Sequence, residues 1–243
     1  MGHDDARVVL LTCGDEHVGA GLHTTAVPAR PGRADLDPVL ADPDLRRLVV
    51  AGTDADLAAV LQRLLRADRL GVELAYVPVD RRSAAARVWG LPHGGAALDL
   101  ARHGSASPVP LVRDDSGGVL VGRGEVRAIR GEAYCDDVLA LRGPARRLVV
   151  TPWRHGASGA SPDGTVGGIA VRAGLRGGLP DGRVHAVAPT ARAGRGAATG
   201  RAVQLGCLPA TVVHDGVEHP RPVTRWAWYR HVADWLLVRG DTR

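Results

Sequence analysis

A chain of 243 residues has room for one large domain or two small ones, each with a proper core. Its 45% hydrophobic and 23% charged residues are those of an ordinary globular protein, and no apolar run approaches the ~20 residues that span a bilayer. The net charge of +5 raises nucleic acid or an anionic membrane as partners. However, the arginines are scattered, with pairs at Arg46–Arg47, Arg81–Arg82 and Arg146–Arg147 and no long run. No nucleic acid is therefore expected, and membrane contact is at most peripheral. The chain has no Lys, Phe or Asn, which reads as codon bias rather than function. Its start, MGHDDARVVLLTCGDEH, is acidic before a short apolar run, unlike a secretory signal, so the expected compartment is the cytoplasm. Cys13, Cys135 and Cys207 are odd in number and widely spaced, which argues for reduced structural thiols rather than a disulfide framework or zinc ribbon.

In chain order, Arg7–Thr12 is a continuous apolar run that predicts a buried strand. A Pro- and Gly-containing segment follows, then a second such run at Leu45–Ala51. Over Asp54–Ala67 the apolar residues Leu57, Val60, Leu61, Leu64 and Leu65 share one helix face, with Asp54 or Asp56 available as cap. Leu74–Val79 is a third strand. Ser83–Trp89 starts another helix, closed by Gly90 and Pro92. Strands alternating with helices imply a parallel sheet with right-handed crossovers.

After about residue 95 the pattern changes to short apolar runs divided by Gly-, Asp- and Pro-rich turns. These runs are Pro110–Arg113, Gly118–Val121, Val126–Arg130, Val138–Leu141, Arg147–Thr151, Gly168–Arg172, Val184–Pro189, Ala202–Leu205 and Thr211–His214. This is the signature of an antiparallel β-sandwich. Trp153–Thr165 and Ala191–Thr199 read as loops. The expected division is an α/β nucleotide-binding-like domain over residues 1–95 and a β-sandwich over residues 96–243, the last strand being a candidate to return to the first domain. Trp226, Trp228, Tyr229 and Trp235 cluster in an otherwise aromatic-poor chain and read as packing residues.

Two turns carry the functional signal. The first strand–helix turn reads Gly52, Thr53, Asp54, Ala55, Asp56, and the second reads Pro78, Val79, Asp80, Arg81, Arg82, Ser83, Ala84. They resemble the GGDGT and PxGTxND turns of the diacylglycerol kinase and NAD kinase superfamily, with most glycines replaced. Near the C-terminus, GRAVQLGCLPATVVHDGVEHP at Gly200–Pro220 resembles the family's strand pair and DGE turn, with Asp215, Gly216 and Val217 at the turn. The resemblance implies an α/β domain with a parallel sheet followed by an antiparallel β-sandwich domain. It also implies ATP and Mg²⁺ as cofactors if the protein is active, and a diacylglycerol-like lipid hydroxyl as substrate.

In the family, the turn glycines let backbone N–H groups approach phosphate, aided by the dipole of the following helix. Gly52 and Asp54 match. Thr53 and Ala55 replace glycines, and Asp56 replaces a phosphate-contacting Thr with a carboxylate that repels phosphate. In the second turn Asp80 and Arg81 replace Gly-Thr, and Ser83 replaces a nucleotide-holding Asn. Arg81 and Arg82 could grip phosphate through their guanidiniums, or form a solvent-exposed pair. Asp54 and Asp56 could equally be helix caps. Asp215 stands where the family places its general base, and Asp-Gly is also a plain hairpin turn. His214, Glu218 and His219 surround it without metal-ligand spacing. The glycines of Gly117–Gly124 fit a hairpin, and GASG around Ser158 is no nucleophile elbow. The expected function is a diverged lipid-kinase-like protein with weak or lost ATP binding, a pseudo-kinase serving as a binding or regulatory module for a lipid or nucleotide ligand. The alternative is an active lipid kinase with Asp215 as base.

Overall fold

The computed structural model describes residues 8–15, 21–153, 168–174 and 198–240. In chain order the elements are β1 (Val8–Cys13), β2 (His23–Val27), α1 (Arg33–Leu40), β3 (Arg47–Gly52), α2 (Asp54–Arg66), β4 (Glu73–Pro78), α3 (Ala84–Trp89), α4 (Gly95–His103), β5 (Ser105–Asp114), β6 (Val119–Leu120), β7 (Gly124–Cys135), β8 (Val138–Trp153), β9 (Gly168–Gly174), β10 (Ala198–Gly200), β11 (Ala202–His214), β12 (Val217–Glu218) and β13 (Val223–Arg239). They form two compact units. The first runs to Val109 and resumes at Ala233; the second is Pro110–Val232. β5 and β13 each begin in one unit and end in the other.

The first unit is a parallel sheet in the order β13–β4–β3–β1–β2. β1 and β3 are buried along their whole length, which is why they read as unbroken apolar runs rather than alternating ones. α2 turns Leu57, Val60, Leu61 and Leu64 into the core. α4 adds Ala97 and Ala101 to a cluster with Val8, Leu10, Val49, Ala51 and Val238. Three elements lie outside the expected set. α1 carries Pro38 inside it and follows Pro31 and Gly32, so its sequence reads as loop. α4 opens with Gly94 and Gly95, poor helix formers at its first turn. β2 is short and mostly exposed, so it lacks an apolar signal.

Arg47, buried at the start of β3, closes the far end of α4. Its Nε donates to Glu73 at 2.7 Å, and its terminal nitrogens donate to the carbonyls of Ala101, Arg102 and Gly104 at 2.7, 3.0 and 2.8 Å. These are carbonyls that a helix C-terminus leaves without partners, and a guanidinium fork is suited to collecting several at once.

The second unit is antiparallel, in the order β10–β9–β8–β7–β11–β13, with β12 on β11 and the β5–β6 hairpin off that path. The hairpin places Val112 and Leu120 in the same core as Val126, Leu148, Val212 and Trp228 of the long strands. The runs expected as separate strands at Val138–Leu141 and Arg147–Thr151 are one strand, β8. Those at Ala202–Leu205 and Thr211–His214 are one strand, β11. The residues that read as breaks are absorbed without ending a strand. Pro144 pairs with β7 at a level where, among the described residues, β8 has no partner on its other side, and Pro209 lies in a bulge between Gly206 and Ala210.

These strands share a change of phase. Val126, Leu148 and Val212 face one another and are buried, and so are Ala133, Leu141 and Leu205 further along. The spacing from the first trio to the second is odd in each strand, whereas a regular strand keeps one face at even spacing. Ala128 at φ 54° and the β11 bulge mark the level of the shift. Such coordinated irregularities let long strands turn a corner while keeping apolar residues inward. The expected strand at Val184–Pro189, the loop after Trp153 and most of the loop at Ala191–Thr199 lie outside the described residues.

Candidate functional site

The first turn follows β3. Thr53 is the N-cap of α2, and Asp56 completes a capping box: its Oδ2 accepts from the Thr53 N–H and hydroxyl, both at 2.7 Å. Its Oδ1 accepts from the Arg30 N–H at 2.6 Å. Asp56 is buried, and its carboxylate sits so close to β3 that a Cβ on Gly52 would meet Oδ2 at 2.7 Å and Cys13 Cβ at 3.1 Å. Gly52 is therefore required by the packing of Asp56, with no need to invoke a ligand. The neighbouring Cys13 thiol is pushed up to about 12 by burial, with Asp56 adding to the effect, which makes it a poor nucleophile.

Asp54 reaches across to the second turn. Oδ1 accepts from the Tyr76 hydroxyl at 2.9 Å and from the Ser83 hydroxyl at 2.5 Å. Oδ2 accepts from the N–H groups of Ala84 and Ala85 at 2.7 and 3.2 Å. Ser83 itself caps α3 by accepting from Ala86 N–H at 2.9 Å. The first backbone donors of α3, the groups a phosphate would seek, are thus held by Asp54. Asp80 accepts from Arg82 N–H at 2.7 Å in a tight turn, and the side chains of Arg81 and Arg82 are exposed. Gly52, Thr53, Asp54, Asp56 and Ser83 are brought together, while the two arginines stand on the surface beside them. Tyr76, on β4, was missed by sequence reasoning; its position in an apolar strand gave no sign that its hydroxyl would be used.

In the second unit, Asp215 and Gly216 have φ of 47° and 87° and connect His214 to its pair Val217 as a two-residue hairpin loop. The Asp215 carboxylate turns inward. Oδ1 accepts from the N–H groups of Gly122 and Arg123 at 2.8 and 2.7 Å, and Oδ2 from Val121 N–H at 2.9 Å. Three successive backbone N–H groups converging on one anion form a nest, filled here by the chain's own side chain.

His214 lies between two carboxylates. Nε2 stands 3.2 Å from Asp114 Oδ2, within ion-pair range but out of line for a hydrogen bond, and Nδ1 is 3.8 Å from Asp215 Oδ2. Asp114 is itself fixed by Ser116 and the Gly118 N–H. The ring stacks on Trp228. Burial pushes the imidazole below its ordinary value, while the Asp114 carboxylate pulls the other way. Asp114 lay outside the expected set because it is about a hundred residues from His214 in sequence and no local pattern links them. The tryptophans pack as expected: Trp226, Trp228 and Trp235 are buried. The glycine-containing stretch before Gly124 is the β5–β6 hairpin. Among the described residues, no group of three or more His, Cys, Asp and Glu is placed to hold a metal ion, the three cysteines are free, and no helix is long and apolar enough to cross a membrane.

No protein-family model and no curated protein matches the sequence. Solved structures do match. A diacylglycerol kinase from Bacillus anthracis superposes with a TM-score of 0.66 at 12% identity, over 96% of this chain and 97% of that one. An NAD kinase from Archaeoglobus fulgidus, solved in complex with ATP, superposes with a TM-score of 0.56 at 12% identity, over 96% of this chain and 94% of that one. The chain has the diacylglycerol kinase and NAD kinase fold: a parallel α/β unit followed by an antiparallel β unit, as the turn motifs implied.

Proposed function

We propose that this protein is a diverged lipid-kinase-like module whose nucleotide site has been closed by its own carboxylates, and that it acts in the cytoplasm by binding or regulation rather than by phosphoryl transfer. The observation that carries this reading is the set of contacts made by Asp54. Both its oxygens are engaged, and they hold the α3 donors that a phosphate would take. Asp56 does the same at α2 and lies against Gly52. Thr53 and Ala55 add side chains where the related turns have glycine. A triphosphate approaching these turns meets two carboxylates already engaged by protein donors, four on Asp54 and three on Asp56. They repel its phosphates, and Asp54, with two donors on each oxygen, has no acceptor position left for its Mg²⁺.

ATP is the nucleotide to test, because the archaeal NAD kinase of this fold was solved with it. In the wild type, millimolar ATP–Mg²⁺ should leave the melting temperature unchanged, since a ligand that binds only the folded state must raise it. Micromolar binding by calorimetry would overturn the reading. The triple variant Thr53→Gly, Ala55→Gly, Asp56→Thr should bind ATP–Mg²⁺ more tightly than wild type if the site is merely closed.

Asp215 is where a general base would stand if phosphoryl transfer to a lipid hydroxyl survived. Diacylglycerol incubated with the protein and labelled ATP should give no product. If product forms, Asp215→Asn should lower its rate by about 10²–10⁴-fold, and an unchanged rate would clear the residue of that role.

A further inference from the structure

The exposed side of the second unit's sheet carries a charge pattern that the nucleotide reading does not use. In successive rows across the strands, Arg127 pairs with Arg147 and Thr211; Glu132 pairs with Arg142 and Gly206, and Gly206 with Arg225; Tyr134 pairs with Leu139 and Gln204. Arg130 lies between the first two rows, opposite Pro144. Five arginines thus stand against Glu125, Glu132 and Glu218, the last 3.8 Å from Arg127. Arg127 and Arg147 lie directly across from each other, an arrangement that costs stability because like charges oppose. Glu125 relieves part of this through Arg127 at 2.9 Å, and it also contacts Arg123. Burial works to raise its pKa, but Arg127, Arg123 and Arg147 hold it below the usual carboxylate value. Arg142 bonds to Glu132 at 2.9 Å. Among the described residues, no side-chain hydrogen bond or ion pair occupies Arg130 or Arg225, both exposed. Beside Arg130 in the bulge of β11, Leu208 is 60% exposed.

We propose that this face docks the protein onto an anionic lipid bilayer, with Arg130, Arg147 and Arg225 engaging headgroup phosphates and Leu208 entering the acyl boundary. The charge excess selects an anionic partner and disfavours a second copy of the same face. The exposed leucine among arginines separates a bilayer from a nucleic acid. A bilayer interface accepts both the guanidiniums and the apolar side chain. A nucleic-acid strand would be met by aromatic platforms, whereas the aromatics of this face among the described residues are Tyr134, whose hydroxyl is donated to Glu132 at 2.9 Å, and the half-buried Tyr229. This inference does not depend on whether the turns of the first unit bind nucleotide.

The test is co-sedimentation of the full chain with vesicles of phosphatidylglycerol and phosphatidylcholine, against vesicles of phosphatidylcholine alone. The protein should pellet with the anionic vesicles only, and salt should release it. Arg130→Gln and Arg225→Gln should each weaken partitioning about fivefold. Arg130→Lys with Arg225→Lys should retain it, and Leu208→Ser should weaken it without changing its salt dependence. Circular dichroism and melting temperature should match wild type in all of them, since the side chains are on the surface. Equal binding to both vesicle types, no binding to anionic vesicles at low salt, or Gln variants that bind like wild type would each overturn the proposal. Binding to single-stranded DNA that competes with vesicles and ignores Leu208→Ser would overturn it in favour of a nucleic-acid face.

Discussion

The acidic turns of the two units solve the same problem with different materials. In the first, Asp54 and Asp56 satisfy donors at the starts of helices, helped by the hydroxyls of Thr53, Tyr76 and Ser83. In the second, Asp215 satisfies three successive donors of one loop and has the imidazole of His214 beside it. Both are anion sites filled from within. The difference is that the partners in the first are hydroxyls and backbone N–H groups, while the second includes an imidazole, whose ordinary titration range lies close to neutral pH and which burial pushes lower. The first arrangement should answer to ligands and caps, and the second to protons.

Asp215→Ala should break the comparison most severely. It leaves three backbone donors of the second unit without an acceptor, two of them on the buried residues Val121 and Gly122, and puts alanine at φ 47°. A loss of about 4 kcal/mol in urea denaturation is expected. A loss below about 1 kcal/mol would mean that the nest is solvated and that Asp215 is not a structural clasp.

Asp54→Ala should cost less, about 2 kcal/mol, because two α3 donors rather than three are orphaned, the one at Ala84 is only half-buried, and Ser83 still caps Ala86. Its signature should be early hydrogen exchange at Ala84 and Ala85, with the β3 amides still protected. Uniform loss of protection across the first unit would show that Asp54 holds the sheet as well as the turn.

The smallest effect should sharpen the comparison through pH. The folded-state pKa of His214 is lowered, so the unfolded chain binds the proton more readily. Stability from this group is therefore complete above the unfolded value of about 6.5. Below that it is lost as pH falls, by at most about 1.4 kcal/mol per pH unit. His231 is shifted the same way by burial and by Arg113, so the readout is the difference between wild type and His214→Gln. Urea midpoints should fall further in wild type than in His214→Gln as pH is lowered from about 7.5 to about 5.5. Equal falls in both proteins would remove His214 from this role.

Particular residues show how far the sequence reached. β1, β3 and β4 were legible because parallel strands buried on both faces leave continuous apolar runs, and α2 because its buried residues repeat at helical spacing. α1 and α4 were not, because Pro38 and Gly94–Gly95 carry loop signals that tertiary packing overrides. The unity of β8 and β11 was hidden for the same reason: Pro144 and Pro209 look like strand ends until the pairing with β7 carries β8 past Pro144 and a bulge in β11 absorbs Pro209.

The site divides along the same line. The sequence determined which residues stand at the turns, because a strand–turn–helix pattern and an Asp-Gly hairpin are local and short-range chemistry fixes them. It also determined that glycines were missing there. What those carboxylates do was decided by the tertiary structure. Asp54 finds Ser83, Ala84 and Ala85 some thirty residues away, and Asp215 finds Val121, Gly122 and Arg123 more than ninety residues away. An acceptor's role depends on which donors the fold brings within hydrogen-bonding distance, and local sequence carries no record of that.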